Sequence, residues 1–387
     1  MVVAPSTIPL AGASAGASAA PAVSWLAGLA GAPLPTRRQE DWRFTDLAAL
    51  KAIEPKLISV AEPLEARDLP AGVERLSSAA ASPWLGRALA ATGSADHWLV
   101  RLNAGALEGQ DGNLLALRVS GAAGPLQLSL DAGPQPGLAA YRLLLVLEAG
   151  ASLELLLRPS ADAGNALSLV SEVILEPGAE LSLGCLALGA PGSCLLQHTA
   201  VSQAPGSRLE HTAVSGGWAL ARQEPRILQF EGAAWTRLRG LQVCRDHQLA
   251  DTHSWVRFDG PEGQLDQLHK VVADDQGRSV FNGAVRVPRA AQRTNAAQLS
   301  RSLLLSDRAR IDTKPELEIV ADDVKCAHGA TVSRLQQNEL FYLQSRGIAA
   351  DQASKLLLRG YCDEVLRELP AAAAALHPLQ QLLRERP

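Results

Sequence analysis

A turn glycine that returns at a near-constant interval constrains this chain more than any other feature. EAGASLELLL carries Gly150, EPGAELSLGCL carries Gly178, APGSRLEHTAV carries Gly206 and EGAAWTRLRG carries Gly232. The steps between them are 28, 28 and 26 residues. After each glycine, apolar and polar residues alternate, the period of a strand with one buried face. Such segments follow one another from about residue 114 to 336, and helical periodicity is nearly absent between them. A single coil of this size cannot bury its own apolar face, so repeats of this kind are stable only when stacked. The expected fold is therefore mainly β, a parallel β-solenoid over 114–336. A sandwich of evenly spaced hairpins is the alternative. It would call for Asn-Gly turns between strands, and Asn282-Gly283 is the one such pair. Later turns, at Gly263, Gly277 and Asp307, keep a looser rhythm.

Helical periodicity marks both ends. In 21–113, Trp25, Leu26 and Leu29 form an apolar patch. Thr36 is positioned to cap a second helix carrying RRQEDWRFTDLAAL, in which Trp42, Asp46 and Leu50 recur at helical spacing. From 337 to 387 three short helices are expected. The first runs over 337–346 and is closed by Gly347. The second covers 350–369, with Ala353, Leu357, Tyr361 and Val365 on one stripe and Pro370 ending it. The third covers 371–385. Residues 1–20, rich in small side chains, read as a disordered lead-in.

Charge and cysteine usage narrow the function. A net charge of −4 argues against nucleic acid or an anionic membrane as the main partner. No apolar run approaches the ~20 residues that span a bilayer. Cysteines 185, 194, 244, 326 and 362 are scattered, odd in number and form no CxxC. That pattern indicates a reducing compartment and argues against a self-contained cysteine metal site. With no secretion-type leader evident, the expected location is cytoplasmic. A P-loop, GxGxxG and HExxH are all absent.

Chemistry concentrates between Ile311 and Ile348. Cys326 and His328 are two apart on a strand and so share a face. Together they offer half of a soft-metal site. Because Val324 shares that face, a small buried cysteine and a satisfied core histidine are the plainer reading. Glu316 and Glu318 also share a face, either as an acid–base pair or as a solvated edge. His247 and His253 fall in a polar segment that reads as surface.

Two stretches resemble a known family. RTNAAQLSRSLLLSDRARIDTKPELEIVADDVKCAHGATVSRLQQNELFYLQSRGI (293–348) and EDWRFTDL (40–47) are similar to the C-terminal and N-terminal signatures of the SufB/SufD family of the SUF iron–sulfur cluster assembly system. The likeness is to its SufD branch. SufB carries approximately Glu-His-Glu-Ala where this chain has Ala327-His328-Gly329-Ala330, and a cysteine near the position of Ser300.

The resemblance implies a right-handed parallel β-helix between helical parts, and a non-catalytic scaffold. It implies pairing with a SufB-like paralogue through the β-helix, or a homodimer when isolated. It also implies a SufC-like ABC-type ATPase held by the C-terminal helices. His328, with Cys326 beside it, would lie at the cluster-assembly interface. Phe341, Tyr342, Arg346, Gly347, Leu357 and Tyr361 would face the ATPase. The isolated chain would bind no cofactor, hold no complete metal site and meet a transient iron–sulfur cluster only in the complex. A carbohydrate-active solenoid enzyme and a standalone metal-binding protein are the competing readings.

Overall fold

A computed structural model of the chain describes residues 23–59, 69–108 and 113–383; the expected lead-in over 1–20 lies outside them. Two sheets face each other along a solenoid. The nine-stranded sheet contains, in spatial order, β1 (Val73–Arg75), β2 (Leu114–Val119), β4 (Gly137–Leu147), β6 (Asn165–Leu175), β8 (Cys194–Gln203), β10 (Leu220–Gln229), β12 (Leu249–Phe258), β14 (Arg278–Val287) and β16 (Arg310–Ile319). The eight-stranded sheet contains β17 (Lys325–Ser333), β15 (Asn295–Leu304), β13 (Gln264–Ala273), β11 (Trp235–Cys244), β9 (Arg208–Gly216), β7 (Glu180–Gly189), β5 (Ser152–Ala161) and β3 (Leu126–Asp131). Successive strands thus alternate between sheets. Each pairs in parallel with the strand two places on, and only β1 adds antiparallel. This is the expected β-solenoid.

The repeated glycine has a definite task. Gly150, Gly178 and Gly206 sit at φ of +70°, +71° and +74°, a left-handed turn that favours residues without a Cβ. The amide of each donates to a carbonyl in the next coil: Gly150 to Pro177, Gly178 to Pro205 and Gly206 to Ala233. The ladder continues through Ala233 to Pro261, Glu262 to Gln292 and Arg293 to Asp323. There Ala233, Glu262 and Arg293 adopt the positive φ themselves. The repeat fades from the sequence at the point where the turn stops using glycine.

Helices cover the outer face of each sheet. On the nine-stranded sheet lie α1 (Val23–Ala30), a 3-10 turn at Glu40–Trp42, α2 (Ala48–Lys51), α3 (Ser78–Ala81), α4 (Arg87–Ala91) and α5 (Trp98–Leu107). Leu26, Leu50, Leu99 and Leu102 pack there against Leu138, Leu196 and Leu220. The continuous helix expected after Thr36 is not formed. Its Trp42 and Thr45 instead converge on Arg222 of β10. The guanidinium lies 4.4 Å over the Trp42 ring and donates to the Asp41 carbonyl and to Thr45 Oγ1. These long-range contacts outweigh local helix preference.

On the eight-stranded sheet, α7 (Ala350–Leu366) buries Cys362, Val365 and Leu366 against Leu186, Val214, Leu241 and Val272. α6 (Gln337–Ser345) precedes it and buries no residue. A six-residue 3-10 helix at Ala371–Leu376 and α8 (Pro378–Leu383) follow it. Gly184 lets this layer approach, since a Cβ there would stand 2.2 Å from Pro370 Cδ.

Candidate functional site

Register places Cys326 and His328 on the inward face of β17, the last strand of its sheet. Cys326 lies on Ala296 and His328 on Gln298 of β15. Ala296 and Gln298 are buried, so residues in register with them face the interior. The next coil, which would cover them, does not follow. Cys326 is therefore half-buried against the core, and His328 is exposed. The expectation of a satisfied core histidine fails for this reason: the face was read correctly, but the rung is terminal. Burial raises the Cys326 thiol, keeping it protonated at neutral pH. Among the described residues, no third histidine, cysteine or carboxylate completes a metal-binding group with this pair.

The whole end of the solenoid is open. β16 pairs only with β14, and β17 only with β15, so each presents a free backbone edge. Ile319, Val320 and Val332 are 40%, 51% and 48% exposed around it. Thr313, Pro315 and Leu317 of β16 share the inward rung and are only half-buried. Glu316 and Glu318 lie on the opposite, outer face. There Glu316 pairs with Lys314 at 2.6 Å and Glu318 with Arg286 at 3.2 Å.

Beneath the open rung a polar strip runs beside the apolar interior, a feature that sequence reasoning missed. Cys185 meets Gln197, which accepts from Gln223 at 3.0 Å. Gln242 donates to Thr252 at 2.8 Å, Gln267 to Ser254 at 2.7 Å and Gln298 to Gln267 at 2.9 Å. Thr313 reaches Ser300 at 3.2 Å. A cavity of about 30 Å³, room for roughly one water, lies among Gln197, His211, Gln242 and His269. Burial pushes His211 down to about 4 and His269 to about 3, so both are neutral. Gln298 Oε1 is buried without a hydrogen-bond partner among the described residues, one rung below His328. The column thus ends in an unused acceptor beneath an exposed imidazole. The sequence signal was present, as alternate Gln, Ser, Thr and His in β8–β15, but alternation alone does not say which face is inward.

The residues expected to meet an ATPase divide in two. Phe341 and Tyr342 of α6 are 72% and 58% exposed, and Leu356 of α7, which was not among those expected, is 50% exposed. Arg346 and Gly347 are exposed after α6, and Leu357 is half-buried. Tyr361 instead turns onto the sheet. Its hydroxyl lies 2.7 Å from the Arg301 carbonyl and 3.3 Å from that of Val271, and its ring sits 3.9 Å from Lys270 Nζ. Lys270 in turn pairs with Glu364 at 2.5 Å. α7 is thereby fastened to β15, the strand next to β17, and to β13 beyond it. His253, read as surface, is half-buried and lies 3.1 Å from Asp251 Oδ1.

Comparison with known proteins agrees with this architecture. A family model described as the SufBD core domain of SUF system FeS cluster assembly matches residues 130–361. A SufBD-family iron–sulfur cluster assembly protein of Synechocystis sp. is 38% identical over 250 residues, 62% of this chain and 55% of that protein. Protein ABCI7, chloroplastic, of Arabidopsis thaliana is 41% identical over 202 residues, 52% of this chain and 42% of that one. The iron–sulfur cluster assembly protein SufD of Escherichia coli is 36% identical over 159 residues, 41% of this chain and 37% of its own. The chain thus spans about half or less of the length of these relatives. No helix among the described residues is long and apolar enough to cross a membrane.

Proposed function

The chain belongs to the SufBD family of SUF iron–sulfur cluster assembly proteins, and on that premise we propose that it is a non-catalytic, SufD-like scaffold subunit working in the cytoplasm. Its open solenoid end pairs with the corresponding end of a SufB-like paralogue. Edge strands β16 and β17 supply unpaired backbone groups, and Ile319, Val320 and Val332 supply apolar area that association would remove from water. His328 contributes one borderline-soft nitrogen donor to a nascent cluster, and the paralogue contributes thiolate. The observation that carries this reading is the exposed His328 on an inward-facing terminal rung. An imidazole there is unfinished in the single chain and would be enclosed by a second one.

A SufC-like ATPase docks on Phe341, Tyr342 and Leu356. Movement of the ATPase is transmitted through α7, whose Tyr361 and Glu364 hold β13 and β15. Of these, β15 lies directly beside β17. The cluster is cargo of the complex and not a resident cofactor of this chain.

The test is co-expression of His328→Ala with SufB-like and SufC-like partners, followed by anaerobic measurement of cluster formation on an acceptor. The expected result is an intact complex with at least a tenfold lower yield, roughly the loss of one ligand's contribution. An intact complex with unchanged yield overturns the role of His328.

A further inference from the structure

We propose that a divalent first-row transition ion of the Zn²⁺ class binds among His97, His198 and Glu224, at the joint between α5 and the solenoid. The three residues are far apart in sequence. His97 is the N-cap of α5, His198 lies on the outer face of β8, and Glu224 lies beside His198 in register on β10. His97 Nε2 is 2.9 Å from Glu224 Oε2, and His198 Nδ1 is 3.8 Å from the same oxygen. One donor atom from each residue lies within 4.8 Å of the others, and the two imidazole rings are 5.1 Å apart. Two imidazole nitrogens and a carboxylate oxygen form a donor set that zinc accepts with its fourth position open. Ferrous iron accepts the same set. A small inward shift of α5 brings the donors to coordination distance.

His198 points most directly to a missing partner. Its ring is fully buried beneath α5, and neither nitrogen has a hydrogen-bond partner among the described residues. The 3.8 Å approach to Glu224 is beyond hydrogen-bonding range. A buried imidazole with no partner is unfavourable. Its neighbours on the same face, Leu196 and Ala200, are apolar and buried, so a hydrophobe would suit the position if packing were the only demand.

The surroundings prepare Glu224 as a single-oxygen ligand. The Arg222 guanidinium pairs with the buried Glu224 carboxylate. Arg222 Nε and Nη2 take Glu224 Oε1 at 2.7 and 2.6 Å, so Oε2 alone faces the imidazoles. This is the orienting outer partner that metal carboxylates commonly have. Two fully buried carboxylates, Glu224 and Asp251, stand against one buried guanidinium, Arg222, which favours an added cation; half-buried Arg226 opposes it. His97 Nδ1 accepts from the Leu99 amide at 3.3 Å, so the ring proton sits on Nε2 while no ion is bound. Coordination through Nε2 moves that proton to Nδ1 and releases this long contact, with no net proton lost. The ion would clamp α5 to β8 and β10.

The test uses the full chain with Cys326→Ser and His328→Ala in place, so that the terminal rung cannot supply ligands. The chelator-stripped protein is titrated with Zn²⁺ by calorimetry, and with Co²⁺ to read the visible bands of a four-coordinate ion. The expected result is one ion per chain and a higher melting temperature with Zn²⁺. His198→Leu should fold, lose the Zn²⁺-dependent rise and bind at least about 100-fold more weakly. His97→Asn, which keeps a good helix cap, should do the same and decides the matter if His198→Leu does not fold. Absence of stoichiometric uptake in the parent, or unchanged affinity in the folded variants, overturns the site.

Discussion

The two halves of the solenoid interior differ within one backbone plan: the first is almost wholly apolar, and the second sets a polar strip beside an apolar one. Between β2 and β7 the inward rungs are Leu117, Leu145, Leu155, Leu169, Leu183 and their neighbours, all at or near zero exposure. From β8 onward Leu195, Val201, Ile227, Val256 and Val285 continue the apolar rungs, but Gln197, Gln223, Gln242, Gln267 and Gln298 lie inward beside them among serine, threonine and histidine. The apolar half is held by burial, which is non-directional and tolerates sliding. The second half adds to that burial a strip of hydrogen bonds that count only when complete. A polar core is therefore the more exacting one, and it leads to the end where a second chain is needed. The difference separates a half that stabilises from a half that positions.

The comparison can be broken most forcefully from the apolar side. Leu169→Ala, at a fully buried rung, should destabilise the chain by about 2–5 kcal/mol through lost transfer energy and a residual cavity. Denaturant midpoints would read this, and a change within about 0.5 kcal/mol would show that the half is not close-packed.

The polar half should respond to acid in a way the apolar half cannot. His269 is held neutral, with its pKa lowered by burial to about 3. Its unfolded value is about 6.5. The unfolded chain therefore binds more protons in this window. Stability is full above about pH 6.5 and declines as pH falls from there toward the folded value, by up to about 5 kcal/mol for a gap of this size. His269→Gln should flatten that part of the pH–stability curve while leaving the neutral-pH slope unchanged. His211, pushed to about 4 by burial, adds a second contribution of the same sign.

A smaller effect is expected at the junction between this half and its helices. Tyr361→Phe removes the hydroxyl contacts to the Arg301 and Val271 carbonyls. It should cost about 1 kcal/mol. Hydrogen exchange should show the loss concentrated in α7, with β5 and β7 unaffected.

The legibility of the sequence follows the same division. The apolar coils announced themselves because Gly150, Gly178 and Gly206 are required by a left-handed turn. The later coils did not, because Glu262 and Arg293 adopt that conformation despite their side chains. Trp42 and Leu50 matched a helical period by spacing alone, whereas Arg222 and Asp251, on strands far along the chain, decide how that segment runs. The shared face of Cys326 and His328 was readable from strand geometry. Their exposure was not, since nothing local marks β17 as the last rung. The approach of His97 to His198 and Glu224 depends on α5 crossing β8 and β10, which no spacing in the sequence encodes.

The central claim is that the open rung of β16 and β17 is finished by a second chain. Hydrogen–deuterium exchange of this protein, alone and mixed with a SufB-like partner, tests it most directly. The account predicts that amides of Arg310–Ile319 and Lys325–Ser333 gain protection on mixing, and that Val332→Asp abolishes the gain without altering exchange in β4–β8. Protection that appears elsewhere on the solenoid, with β16 and β17 exchanging as before in a complex that demonstrably forms, would contradict it.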